Sequence, residues 1–248
     1  MHLLRTRFKK DIVAEFLPPT KKSNKVIILC DGMPGVPSKR PLMEFFARKR
    51  FWVFHPRYRG SWESSGSFLK ISPEQDILDV INHLPKGFVS LWDGKRFAVR
   101  PSAVYLVAGS FGGPAGILLS KDPRVKGVIA VSPVVDWTTR SKAEPLDFVA
   151  RFTKSAFGEG YRFLMKDWNR LKTGKFYNPM NSIRTIRGDK IFIIHAKDDE
   201  SVGWRSVAKF SKITGAELLL LKKGGHLSSL NVMKKRFYRR ISGFLKKR

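Results

Sequence analysis

At 248 residues the chain is long enough for one α/β domain with a sizeable core, and no stretch approaches the ~18 consecutive apolar residues of a membrane-spanning helix. Its 48 Lys+Arg against 20 Asp+Glu give a net charge of +28, a field that attracts nucleic acid, anionic lipid or acidic substrates. The lone cysteine, Cys30, excludes an internal disulfide, and the basic amino-terminal segment lacks the apolar stretch of a secretion signal, so the expected location is cytoplasmic.

Three strand-sized apolar pieces open the chain, at residues 3–8, 12–17 and 25–30. The third runs into Asp31-Gly32-Met33-Pro34-Gly35-Val36-Pro37, too rich in glycine and proline for helix. Residues 38–48 carry helical spacing through Leu42, Phe45 and Phe46, and residues 50–55 read as another strand. Ser72 and Gln75 are spaced as a capping box, opening a helix with the apolar stripe Ile77, Val80, Ile81 and Leu84. A hairpin about Asp93-Gly94 follows, then a strand from Val104 into Gly109-Ser110-Phe111-Gly112-Gly113, a helix to Ser120, and a strand over 125–131. From Trp137 to about Arg187 the rhythm breaks into basic and aromatic sequence with helical patches, which reads as a cap over a site rather than a second domain. It resumes with a strand over 190–195, a helix over 202–213, a strand over 216–221 and a closing basic helix with the stripe Leu230, Met233, Phe237, Ile241 and Phe244. Alternating strands and helices, with near-continuous Val/Ile/Leu strands, specify a mostly parallel sheet covered on both faces, and ligand sites in such sheets lie at the carboxyl ends of the strands.

Ser110 sits at an abrupt strand-to-helix corner with the small residues Ala108 and Gly112 two positions away on either side. A serine held there projects its hydroxyl above the sheet edge, and the amides of the following helix favour developing negative charge. Two later strands are followed by Ala196-Lys197-Asp198-Asp199-Glu200-Ser201-Val202 and by Lys222-Lys223-Gly224-Gly225-His226. Serine, acid, histidine is the chain order of the nucleophile-elbow hydrolases. On these residues, together with Tyr58-Arg59-Gly60-Ser61, Ser132-Pro133-Val134-Val135-Asp136-Trp137 and Asn178-Pro179, the sequence resembles the α/β-hydrolase superfamily over roughly residues 20–248. The resemblance is to its prolyl-oligopeptidase-like, acylaminoacyl-peptidase and esterase branch.

That resemblance implies an α/β-hydrolase fold, a mostly parallel central sheet with helices on both faces, in one domain over 1–248 with a helical cap insertion at about 137–188. It implies Ser110 as nucleophile and His226 as general base and then general acid. Three consecutive acids compete for the third role, and the family spacing from His195 to Val202 selects Asp199. The family's oxyanion hole maps to the backbone of Met33 and Phe111. The chain departs from the family in carrying Asp31-Gly32 where His-Gly is usual, Ala108 and Ala196 where Gly is usual, and Asp31 places a carboxylate near the hole.

Other candidates have plainer readings. Arg57 and Arg59 are expected to brace their loop by ion pairs, His195 to pack at a strand end, and His2, His55 and His83 show no ligand spacing. No metal or cofactor is expected, since a second cysteine, a P-loop and a dinucleotide glycine fingerprint are all missing. The expectation is therefore a serine hydrolase that cleaves carboxylic esters through an acyl-enzyme, its substrate a small-molecule ester or short peptide. Esters are favoured because the sequence carries no propeller of the kind that restricts the large relatives to peptides. The alternatives are an aminoacyl- or dipeptidyl-type serine peptidase and an inactive cationic protein binding nucleic acid or an anionic surface. In each case the charge implies non-specific attraction to polyanions.

Overall fold

The strands are β1 (Leu4–Phe8), β2 (Ile12–Leu17), β3 (Lys25–Cys30), β4 (Trp52–Pro56), β5 (Phe88–Val89), β6 (Arg96–Phe97), β7 (Ala103–Gly109), β8 (Val125–Val131), β9 (Ile191–Ala196) and β10 (Glu217–Leu221) in a computed structural model that describes residues 2–141 and 143–247. Eight of them form one sheet in the order β1-β2-β4-β3-β7-β8-β9-β10. β1 pairs with β2, and β2 with β4, antiparallel; every other pairing in that sheet is parallel. β5 and β6 make the small hairpin expected about Asp93-Gly94, with Gly94 left-handed at φ 69°.

Alternation along the strands divides the core into two layers. Val26, Ile28, Val104 and Leu106 face α2 (Pro73–His83), α3 (Gly113–Leu118) and α6 (Trp204–Thr214) through Ile77, Val80, Ile117, Val207 and Phe210. Ile27, Leu29, Tyr105 and Val107 face α1 (Arg40–Arg48) and α7 (Lys235–Lys246) through Leu42, Phe46, Phe237 and Ile241. Residues 132–190, between β8 and β9, contain α4 (Leu146–Phe157) and α5 (Met165–Asn169), which add Ala150 and Trp168 to the first layer. Among the described residues no helix is long and apolar enough to cross a membrane.

Two local readings differ from the structure. The Ser72 hydroxyl donates to the Glu74 carboxylate instead of capping a backbone amide, so the expected box does not form; Ser72 is still the residue before the helix. Leu230 and Met233 lie in a 3-10 turn, Ser229–Met233, separated from α7 by the extended Lys234; Ser228 starts that turn by accepting from the Leu230 amide at 3.2 Å.

The Tyr58-Arg59-Gly60-Ser61 segment is anchored by charge. Arg59 bonds Asp11 at 2.6 Å, Asp79 at 2.8 Å and Asp76, tying the turn between β1 and β2, α2 and the loop after β4 together. Arg57 pairs with Glu15 at 2.8 Å. Removing one member of a buried ion cluster leaves the others uncompensated, so Arg59→Met is expected to cost about 3–5 kcal/mol in urea unfolding; a loss below about 1 kcal/mol would contradict this role.

Candidate active site

β7 ends at Gly109, and the chain turns at Ser110 with φ +49°, a left-handed conformation that a side chain disfavours. The surroundings hold it there. The Ser110 carbonyl accepts from the Gly113 and Val134 amides, the latter at 3.1 Å, and the Tyr177 hydroxyl donates to the Phe111 carbonyl at 2.8 Å while accepting from the Ala115 amide at 3.2 Å. The need for glycine at 112 is a close backbone approach, since a Cβ there would lie 2.2 Å from the Cys30 carbonyl oxygen and 2.4 Å from that of Asp31. The end of β3 thus sits directly against the corner.

The loops after β9 and β10 supply the acid and the imidazole. Asp198 accepts from the Gly224 and Gly225 amides at 2.9 Å, fixing one loop to the other. Asp199 turns the opposite way: its Oδ1 accepts from the Ser201 and Val202 amides at 3.0 and 2.9 Å, and its carboxylate receives His226 Nδ1 at 3.0 and 2.9 Å. Glu200 contributes its carbonyl to the Ala143 amide. Of the three acids, Asp199 is the one brought to His226. His195 is fully buried and donates from Nε2 to the Val202 carbonyl at 3.0 Å, so it packs beneath this loop. Ser132, missed as a support, accepts from the Leu227 amide at 3.0 Å and steadies the residue after His226.

Burial pushes the Asp199 carboxyl up, but the bonds from His226 and the Val202 amide and the two imidazoles outweigh it and leave it below the usual carboxylate range. Burial pushes His226 down, and the Asp199 bond and charge, helped by Glu144, more than reverse that. With its Nδ1 proton given to Asp199, His226 presents Nε2 as the basic nitrogen. Ser110 and His226 line one pocket of about 390 Å³, without a hydrogen bond between them among the described residues. Such contacts are often long in an empty site and close around substrate.

The loop after β3 brings Met33 to the same place. A Cβ on Gly32 would be 3.2 Å from Ser110 Cβ, which measures how near this loop runs to the hydroxyl. Neither the Met33 nor the Phe111 amide donates to a side chain or a loop carbonyl among the described residues, and both residues line a pocket that Ser110 also lines. The Asp31 carboxylate is held aside: it accepts from its neighbour Gly32 at 3.0 Å, from Lys39 Nζ at 3.0 Å and from His55 Nε2 at 3.1 Å. Arg57 Nη1 donates to His55 Nδ1 at 2.9 Å, so Nε2 carries the proton given to Asp31. Burial raises the Asp31 carboxyl, and the His55 bond and Lys39 ammonium bring it down to about 2, so it is ionised and braced. His55, with no ligand spacing in the sequence, is therefore a support of the loop beside Ser110. The signal that could have found it is the parallel pairing of β3 and β4, which sets the ends of both strands side by side.

The remaining motif residues meet one another. Asn178 Nδ2 donates to Asp136 Oδ1 at 3.2 Å, and Trp137 Nε1 to the Tyr177 carbonyl at 2.7 Å, linking the loop after β8 to residues far along the chain.

A mostly parallel eight-stranded sheet with helices on both faces and a strand-turn-helix corner at the end of a central strand is the α/β-hydrolase fold, and that is the fold of this chain. Neither a family model nor a curated protein matches it by sequence. Its likeness is to solved structures: Pyrococcus furiosus esterase Pf2001, at 18% identity and a TM-score of 0.70 over 99% of this chain and 90% of that one; Est1E from Butyrivibrio proteoclasticus, at 14% and 0.64 over 99% and 100%; and the acylaminoacyl peptidase of Pyrococcus horikoshii, at 19% and 0.64 over 99% of this chain but 40% of that one.

Proposed function

We propose that the protein is a serine hydrolase that cleaves carboxylic esters through an acyl-enzyme on Ser110. The observation that carries this is the imidazole of His226, bonded through Nδ1 to Asp199 at 2.9 Å and lining one pocket with a left-handed Ser110. In this reading Ser110 Oγ attacks the ester carbonyl and passes its proton to His226 Nε2, whose positive charge Asp199 balances. The tetrahedral oxyanion rests on the Met33 and Phe111 amides, each such donor contributing about 3 kcal/mol to the transition state. His226 then protonates the departing alkoxide, and water repeats the sequence to release the acid. The chain works as a single domain, with residues about 137–188 as the cap that walls the pocket.

Fluorophosphonate should label the protein, with the adduct in the peptide that contains Ser110; a folded protein left unlabelled, or labelled at another serine, refutes the proposal. Turnover of short-chain aryl esters but not of aminoacyl anilides separates esterase from peptidase. Because the deprotonated imidazole is the working form and His226 is raised from its ordinary 6.5, the acid limb of kcat/KM against pH should have its midpoint above that value. Glu144→Gln removes one raising charge and should move the midpoint down; an unmoved limb would show that Glu144 does not act on His226.

The reading extends to a cytoplasmic protein drawn to polyanions, supported by the absence of any Asp or Glu from residues 218–248. Its retention on immobilised DNA should then fall steeply with salt and be the same for Ser110→Ala.

A further inference from the structure

Three large apolar side chains stand in water around the pocket of about 390 Å³ that Ser110 and His226 share: Val36 from the loop after β3, 66% exposed, and Phe148 and Phe152 from α4, 48% and 46% exposed. The two phenylalanines are one turn apart and stack at 6.0 Å between ring centroids, 12° from parallel. They do not seat the helix. Ala150 and Thr153 are its buried positions, and Phe157 packs on Trp62 and Tyr161. An apolar group of this kind, gathered at one pocket mouth, marks a contact surface.

Cations surround it. Arg151 lies between the two rings along α4, and Lys154 follows one turn after Ala150; both are exposed and neither forms an ion pair among the described residues. Over residues 137–188 the sequence has 11 Lys and Arg against 4 Asp and Glu, and one of those acids, Asp147, is already paired with Lys172. Val36 is itself followed closely by Lys39 and Arg40.

That charge decides what covers the rings. A second copy of the chain, at +28, would set one cationic face against another, and Val36 has no ring on which a nucleic-acid base could stack. An anionic bilayer offers both partners at once, headgroups for the cations and hydrocarbon just beneath for the apolar side chains. We infer that this face of the cap docks on an anionic lipid bilayer, with Val36, Phe148 and Phe152 entering the boundary between headgroups and acyl chains, Arg151 and Lys154 among the headgroups, and the pocket opening onto the membrane. The contrast within the molecule is α7, which holds the densest run of cations but has Phe237, Ile241 and Phe244 buried against the sheet. Its attraction to an anionic surface is electrostatic alone and weakens with salt.

Pelleting of the full chain with phosphatidylglycerol–phosphatidylcholine vesicles at about 150 mM salt tests this. The protein should bind them at least about tenfold more tightly than vesicles of phosphatidylcholine alone. Phe148→Ser/Phe152→Ser should weaken binding to the mixed vesicles at least about tenfold, Phe148→Leu/Phe152→Leu should largely retain it, and Arg151→Gln/Lys154→Gln should weaken it severalfold. Retention of the serine variant on immobilised DNA should match that of the native protein, which also shows that the variant is folded. The face is independent of any chemistry at the site, so Ser110→Ala should bind vesicles as the native protein does. Failure to bind the mixed vesicles, or binding that the serine pair leaves unchanged, overturns the inference. So does an equal loss of single-stranded DNA retention in the serine variant, which would make the rings a base-stacking platform, or a native dimer that the serine pair dissociates, which would make the face a contact between copies.

Discussion

Replacing Ser110 with alanine is expected to lower kcat on a short-chain ester by about 10⁶-fold while leaving the fold intact, because in the proposed mechanism its Oγ is the attacking atom. Some rate above water should survive, since the Met33 and Phe111 amides and the pocket remain. Stability distinguishes this site from an ordinary surface serine. Alanine keeps the Cβ in the left-handed conformation at φ +49° and should leave the urea midpoint nearly unchanged, whereas Ser110→Gly relieves the strain and should stabilise by about 1 kcal/mol while being equally inactive. A protein that keeps its esterase rate in Ser110→Ala, or is destabilised by Ser110→Gly, does not store strain at a nucleophile.

Asp199→Asn is expected to cost about 10⁴-fold in kcat with KM little changed. Oδ1 of Asp199 accepts from the Ser201 and Val202 amides, so an asparagine would keep its oxygen there and turn its amide nitrogen towards His226. Two donors then face each other, the imidazole moves its proton to Nε2, and the base is lost. Asp198→Asn makes the control. Among the described residues its carboxylate holds only the Gly224 and Gly225 amides, and its loss should lower kcat by about tenfold at most. Equal losses at 198 and 199 would contradict the assignment of roles.

The sheet was legible because its strands are continuous apolar runs separated by glycine, proline and amphipathic helices, and the strand at Val104 and the helix stripe at Ile77 fall in the core as read. The corner at Ser110 was legible from its small neighbours, although the reason for Gly112 is the backbone of β3 pressing on it, a contact between distant segments. Three acids in a row could be ranked only by resemblance; they part company because successive residues of a tight loop point in different directions, Asp198 to one loop's amides and Asp199 to the imidazole. His55 was not legible at all. Its meaning comes from Asp31, 24 residues earlier, and the two meet only because β3 and β4 are neighbours in the sheet. Local polar choices such as Ser72 bonding Glu74 are similarly hidden, since a serine hydroxyl that donates to a nearby carboxylate and one that accepts from a helix amide have the same sequence signature.

The central claim is that the hydroxyl, the imidazole and the carboxylate act as one unit, and a double-mutant cycle in kcat tests it most directly. With Ser110→Ala, Asp199→Asn and the doubly substituted protein measured on one ester, the double variant should be no slower than Ser110→Ala alone, because orienting a base has no value without a nucleophile to serve. A double variant slower by the product of the two separate effects would mean that residues 110 and 199 work independently, and the account would fail.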